Sequence, residues 1–399
     1  MTSPQSITIY AELLSNIRQI SVVASLSTPA DPSTKAEISH HGRQLNVTHR
    51  GYTESVTLPA QTSVTGSLPV AQNARPGLSW RLPVSPTEAK LVHFSLENQA
   101  LPWTSVDIAA GTPVSCRNCG SEFVAQSTIN TWKDLPSENW AEMMEFWHCH
   151  KPHDHQHQNS ESLATKGYGA NHAISAQKGV GFVDLTSFLF LESDCKGLKY
   201  SSSTMDAGFD LSSLALNEDE SKKFLHIFCR KCATEVGLYN IAALSVTLFK
   251  WQITCQTNTQ DPSPSSSECL AATLMATISR SGSSKSIITP HILGTVKPGP
   301  VVAHQNLHLW VLNPNVVYAA SSTAGRKTAM KILYKHIDSA EGDKLITSMN
   351  SDVQEIALPE AAIKAAEECL LSSGQLLPVH ERTFREWNVG LLGRWEPVS

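Results

Sequence analysis

The sequence predicts a strand-rich α+β protein in three parts. These are an antiparallel, sandwich-like β region over residues 1–110, a cysteine-stapled middle over 111–260, and an α+β segment over 261–399. Three observations carry that prediction. Apolar residues alternate with period two through the first hundred residues, two C-x-x-C pairs stand far apart in the chain, and the last third mixes alternating runs with one long helical pattern. At 399 residues the chain is long enough for two or three domains.

The elements follow in order. In "RQISVVASLS", Ile20, Val22, Ala24 and Leu26 share one face, the alternation of a half-buried strand. The pattern returns in "RQLNVTH", "ESVTLP" and "LSWRLPV", with the turn-rich "TPADPS", "HRG" and "NARPG" between them, as in a sandwich or a curled sheet. In "DLPSENWAEMMEFWHCHKP", Trp140, Met143, Met144 and Trp147 fall on one helical face, Ser137 is placed to cap it, and Pro152 stops it. Residues 153–177 and 201–223 read as long polar loops.

The run "LYNIAALSVTLFKW", Leu238 to Trp251, reads as one strand whose apolar side includes Leu244, Val246 and Leu248, with Thr247 and Lys250 as polar positions open to substitution. Serine-rich "DPSPSSSEC" and "SGSSKS" suggest a soft boundary. Beyond it, "NLHLWVL" and "VVYAASS" flank Asn313-Pro314-Asn315 as a predicted hairpin, and "MKILYKHI" offers a third strand. "LPEAAIKAAEECLLSSG" then reads as a helix with Pro359 in its first turn and Gly374 just past its end.

Composition removes several function classes. A hydrophobic fraction of 41% with 17% charged residues is that of a folded chain. The net charge of -5 leaves no basic footprint for direct nucleic-acid binding. No apolar run is long enough to span a bilayer, and "MTSPQSITIY" lacks the basic and apolar regions of a secretory signal, so a cytoplasmic or nuclear location is expected. There is no G-x-S-x-G and no phosphate-cradling glycine loop.

In such a compartment nine cysteines are metal ligands or free thiols before they are disulfides. "CRNCG" supplies Cys116 and Cys119, and "CRKCATEVG" supplies Cys229 and Cys232. A C-x-x-C turn presents two thiolates from one tight knuckle, and two knuckles close a tetrahedral site, so one structural zinc held by these four residues is expected. A RING-type arrangement of two crossed sites would need eight ligands over a short span. The candidates Cys116, Cys119, Cys149, His150, Cys195, Cys229 and Cys232 are too few and too scattered for that.

Cys149 has three readings. It is a candidate catalytic nucleophile, activated by His148, His150 and Lys151; a metal-seeking hook presented by the helix end; or a half-buried cysteine that closes a core helix. The partial negative charge at a helix C-terminus disfavours a thiolate and weighs against the first. The histidine tract His150, His153, His155 and His157 has spacing that supports adventitious metal binding at most, and it reads as a solvated loop.

Taken together, "CRNCG", "LPSENWAEMMEFWHCHKP" and "FCRKCATEVG" resemble one family, the HECT-like ubiquitin ligases also called ubiquitin-conjugating-enzyme-binding proteins. The resemblance implies binding of a ubiquitin-conjugating enzyme and acceptance or transfer of ubiquitin, with the region of Leu244, Val246 and Leu248 as the docking candidate. It also implies a link to the endonuclease of messenger-RNA 3′-end processing. On that picture Trp147, His148, Cys149 and His150, ended by Pro152, form a hook toward that enzyme's zinc centre. A non-enzymatic adaptor is therefore the alternative to a ligase. The two differ in one observable, because a thioester mechanism leaves a reducible ubiquitin adduct and an adaptor does not.

Overall fold

The computed structural model describes residues 7–71, 77–87, 100–135, 175–201, 224–258, 261–291, 305–348 and 352–396. The chain divides into two compact units, one of residues 1–99, 274–290 and 303–394, the other of residues 100–273, 291–302 and 395–399.

The first unit begins with β1 (Thr8–Leu14), β2 (Gln19–Ser25), β3 (Lys35–Ser39), β4 (Gln44–His49), β5 (Tyr52–Thr57), β6 (Gly66–Leu68) and β7 (Gly77–Pro83). β1, β2 and β7 are antiparallel neighbours, while β3 to β6 form a separate sheet in the order β5-β4-β3-β6. Ile9, Ile20 and Val22 from the first set share one core with Ile38, Leu45, Val47 and Val56 from the second. The alternating positions therefore face inward as expected, each contributing about 1.5–3 kcal/mol by leaving water.

The second unit is also sheet-built. It contains β8 (Val114–Cys116), β9 (Glu122–Val124), β10 (Thr131–Asp134), β11 (Val180–Val183), β12 (Ser187–Leu191), β13 (Leu198–Ser201), β14 (Phe224–Cys229), β15 (Glu235–Asn240), β16 (Ser245–Phe249) and β17 (Ile253–Thr254). Seven strands run in the order β10-β11-β12-β16-β15-β14-β13, and β17-β8-β9 form a smaller sheet. The expected single strand over 238–251 is in fact two strands, because Asn240 and Leu244 bracket a turn. Asn240 Oδ1 accepts from the Ala243 N–H, and Leu244 takes φ 47°. An asparagine side chain that bonds its own backbone in this way competes with continued pairing. Gly237 is fixed by close approach: a Cβ there would run into the Thr247 carbonyl of the paired strand.

The chain then returns to the first unit through α1 (Ser266–Ser281), β18 (Lys285–Pro290), β19 (Gln305–Ala320), β20 (Lys327–Asp338), α2 (Ser339–Thr347), β21 (Val353–Leu358), α3 (Glu360–Gly374), β22 (Thr383–Phe384) and β23 (Trp387–Gly393). β19 lies antiparallel to β1, with Tyr10 opposite Ala320, so one nine-stranded sheet runs β22-β23-β20-β19-β1-β2-β7 with β18 and β21 attached. The strands β1 to β7 and β18 to β23 thus belong to one unit. Pairing between strands some 300 residues apart leaves no local periodicity to read.

One local expectation changes here as well. The serine-rich stretch carries a helix start: α1 begins at Ser266, where Ser265 Oγ accepts from the Glu268 N–H and Glu268 Oε2 accepts from the Ser265 N–H at 2.8 Å. The Asn313-Pro314-Asn315 segment is not a hairpin. It is a bulge inside β19, which pairs with β20 on both sides of it, from Val311 opposite Ile332 to Val316 opposite Ala329. Proline cannot donate to a ladder and is accommodated where pairing is interrupted, and Asn313 Oδ1 accepts from the Asn315 N–H.

Candidate metal centre

Cys116 is the last residue of β8 and Cys229 the last of β14, so each knuckle grows out of a strand end and turns back into the next strand. The two turns repeat one conformation. In the first, Gly120 N–H donates to the Cys116 carbonyl at 2.9 Å and Cys116 N–H to the Ser121 carbonyl at 2.8 Å. In the second, Ala233 N–H donates to the Cys229 carbonyl at 2.9 Å and Cys229 N–H to the Thr234 carbonyl at 2.9 Å. The residue after the second cysteine is left-handed in both, Gly120 at φ 69° and Ala233 at φ 55°. Glycine takes that conformation freely and alanine does not, so the second knuckle carries about 1–2 kcal/mol of local strain.

The four sulfurs converge across the long gap in sequence. Cys116 Sγ lies 3.7 Å from Cys232 Sγ and Cys119 Sγ 3.6 Å from Cys229 Sγ, with all four within 4.8 Å of one another. These separations are far beyond a disulfide bond of about 2.05 Å. They match the edge of a tetrahedron of thiolates around zinc, roughly 3.8 Å for Zn–S distances of about 2.3 Å. The donor set therefore fits one closed structural zinc, and among the described residues it is the one cluster of this kind.

The surroundings prepare the thiols unequally. The Thr234 hydroxyl, 3.2 Å from Cys232 Sγ, is the main influence that brings the Cys232 thiol down to about 6. Burial pushes Cys116 up to about 12 and also raises Cys229, so these two stay protonated in water near neutral pH and lose their protons to solvent when a cation takes the thiolates. Asn118 Nδ2 donates to Thr234 Oγ1 at 3.0 Å and links the first knuckle to the second. Arg117, Arg230 and Lys231 stand between the cysteines of the two knuckles, and they add positive charge in sequence next to four thiolates on one divalent ion. The glycine after "CRNC" and the threonine two residues after "CRKC" were visible signals of these turns.

The remaining candidates are placed differently. Val246 and Leu248 are fully buried in the same core as Cys116 and Cys229, so their side chains meet no partner. Leu244 sits in the turn and is 54% exposed. Lys250, expected on a polar face, is buried at 1% exposure and donates to the carbonyls of Pro102 at 2.6 Å and Trp103 at 2.8 Å. Burial brings its ammonium down to about 8. Nothing in the apolar run around it marks this lysine as internal. The positions Trp147, His148, Cys149, His150 and Pro152, and the helix expected before them, lie outside the described residues.

No helix among the described residues is long and apolar enough to cross a membrane. No solved structure matches the chain. A protein of Saccharomyces cerevisiae described as uncharacterised is 22% identical over 330 residues, 80% of each chain. A protein of Schizosaccharomyces pombe, also described as uncharacterised, is 40% identical over 63 residues, 15% of this chain and 18% of that one. The sequence profile of the HECT-like ubiquitin-conjugating enzyme (E2)-binding family matches residues 12–389, which takes in both units and all four cysteines. Paired knuckles and a family match over nearly the whole length agree, and the chain belongs to the HECT-like E2-binding family.

Proposed function

We propose that the protein binds a ubiquitin-conjugating enzyme and promotes transfer of ubiquitin from it, acting as a ubiquitin-protein ligase that positions the charged enzyme. The family match over residues 12–389 is the observation that carries this reading. Zinc, when bound, supplies a cross-link and no chemistry: four thiolates fill its coordination and leave no open position.

Among the described residues, three thiols outside the cluster are poor acceptors of ubiquitin. Burial pushes Cys195, Cys255 and Cys269 up to about 12, the opposite of what an acceptor nucleophile needs. Holding a reactive thioester and an amine in register is itself a large part of the barrier to acyl transfer. The adaptor reading rests on the family resemblance alone, which implies that Trp147, His148, Cys149 and His150 form a hook toward the zinc centre of the mRNA 3′-end processing endonuclease.

One experiment separates these readings. The full chain, immobilised, is incubated with ubiquitin, activating enzyme, ATP, a panel of conjugating enzymes and the mRNA 3′-end processing endonuclease, and the captured proteins are resolved with and without reductant. Capture of a charged conjugating enzyme with no reducible adduct on the chain supports positioning. A reductant-sensitive adduct that disappears in Cys149→Ser places the transfer on that thiol. Capture of the endonuclease and of no conjugating enzyme identifies the adaptor.

A further inference from the structure

The four sulfurs that fit zinc also stand as two pairs. Each knuckle contributes one buried and one half-buried cysteine: Cys116 and Cys229 are buried, and Cys119 and Cys232 are half-buried. The contacts run across the knuckles, Cys116 Sγ to Cys232 Sγ at 3.7 Å and Cys119 Sγ to Cys229 Sγ at 3.6 Å. Each pair therefore sets an accessible sulfur on one turn against a sheltered sulfur on the other.

That arrangement suits the two steps of thiol oxidation. A peroxide attacks a sulfur that solvent can reach, and the sulfenic acid formed there becomes a disulfide when a second thiol is close at hand. Cys119 and Cys232 meet the first requirement, and Cys229 and Cys116 meet the second. A disulfide is about 2.05 Å long, so each pair needs to close by only roughly 1.6 Å. The bonds that hold the two turns run between backbone groups, from Gly120 N–H to the Cys116 carbonyl and from Ala233 N–H to the Cys229 carbonyl, and do not involve the sulfurs.

The surroundings keep the site open to a small oxidant. Arg117, Asn118, Arg230 and Lys231, which stand between the cysteines, are all exposed. Thr234 Oγ1 accepts from Asn118 Nδ2 at 3.0 Å and can give its own hydrogen to Cys232 Sγ, 3.2 Å away, which holds that sulfur beside Cys116. Pairing decides what oxidation does to the fold. A bond within a knuckle, Cys116 to Cys119 or Cys229 to Cys232, would join residues three apart and leave the two turns unconnected. Bonds across the knuckles close the same long loops as the metal, 116 residues for Cys116 to Cys232 and 110 for Cys119 to Cys229, and restrict the unfolded chain in the same way.

We propose that the cysteine cluster is an oxidation site for peroxides, at which zinc is exchanged for two disulfides across the knuckles, Cys116–Cys232 and Cys119–Cys229. In each step two thiolates lose two electrons and form one S–S bond, while one hydrogen peroxide takes up those electrons and two protons and leaves as two waters. The first bond removes two of the four ligands; the second removes the other two and releases the metal as the divalent ion. The site stands on the cluster and not on the ubiquitin function, so either can fail without the other.

The test is a stepwise titration of the purified, zinc-loaded full chain with hydrogen peroxide. Released zinc is read with a chromophoric chelator, disulfides by mass spectrometry of unreduced tryptic peptides after alkylation, and stability by urea unfolding. Trypsin cuts after Arg117, Arg230 and Lys231, between the cysteines of each knuckle, so the alternative pairings give different peptides. The expected result is loss of the zinc in step with the appearance of peptides joined through Cys116–Cys232 and Cys119–Cys229. The oxidised chain should unfold at higher urea than the reduced chain stripped of zinc, and dithiothreitol with added zinc should restore the starting protein. Any other pairing among the four cysteines would overturn the proposal. So would release of zinc with sulfinic or sulfonic acids and no disulfide, or retention of zinc after the other cysteines have been oxidised.

Discussion

Cys232→Ser removes one of four zinc ligands and tests the staple directly. The cluster joins Cys119 to Cys229, residues 110 apart in the chain. A cross-link closing a loop of about 100 residues restricts the unfolded chain by about 4.7 kcal/mol on the chain-entropy account. Three thiolates hold zinc far less firmly than four, and the serine hydroxyl is not deprotonated at neutral pH. The buried thiols of Cys116 and Cys229 would then take up protons and pack as small apolar groups, recovering part of the loss. The net expectation is a destabilisation of about 3–5 kcal/mol. The assay is urea unfolding of the purified full chain together with zinc content measured by a chromophoric chelator. Wild type should hold one zinc per chain, and Cys232→Ser substantially less. Full zinc retention by a Cys116→Ser, Cys229→Ser double variant would refute the shared site.

Two further perturbations follow from the same unit. Ala233→Gly relieves a left-handed alanine in the second knuckle at some cost in unfolded-chain entropy, and should raise stability by about 0.5–1 kcal/mol in urea unfolding without changing zinc content. Lys250 is protonated in both folded and unfolded chains below pH 8, and the fold then bears the cost of burying its charge; between about 8 and 10.5 the unfolded chain binds more protons, so stability attributable to this group rises with pH. The unfolding free energy of the wild type minus that of Lys250→Met should therefore increase by about 3 kcal/mol from pH 7.5 to 10.5, and a difference independent of pH would show that the ammonium is not buried as a charge.

What could be read in advance depended on how local each determinant is. The strand alternation of Ile20, Val22 and Ala24 and the paired cysteines are short-range patterns, and the structure returns them as β2 and as one four-sulfur cluster. The β1–β19 pairing is not a short-range pattern, so the union of the chain's two ends in one sheet had no signature. The start of α1 was legible, since Ser265 and Glu268 stand at capping-box spacing, but the serine-rich context masked it. Pro314 signals interrupted pairing, and a hairpin and a bulge leave the same local signature there. The apolar run around Val246 was read as one element because a four-residue turn without glycine or proline gives little warning. Its consequence for function is large: two of the three docking candidates are core, and only Leu244 reaches the surface.

The most direct test of the account is a single-turnover measurement of ubiquitin discharge from a preformed conjugating-enzyme thioester to free lysine, with the purified zinc-loaded chain present or omitted. The account predicts that discharge accelerates with increasing chain and saturates, and that no reducible ubiquitin adduct forms on the chain. A discharge rate unchanged at saturating chain would contradict the ligase function, and accumulation of a reducible adduct on the chain before discharge would contradict transfer by positioning.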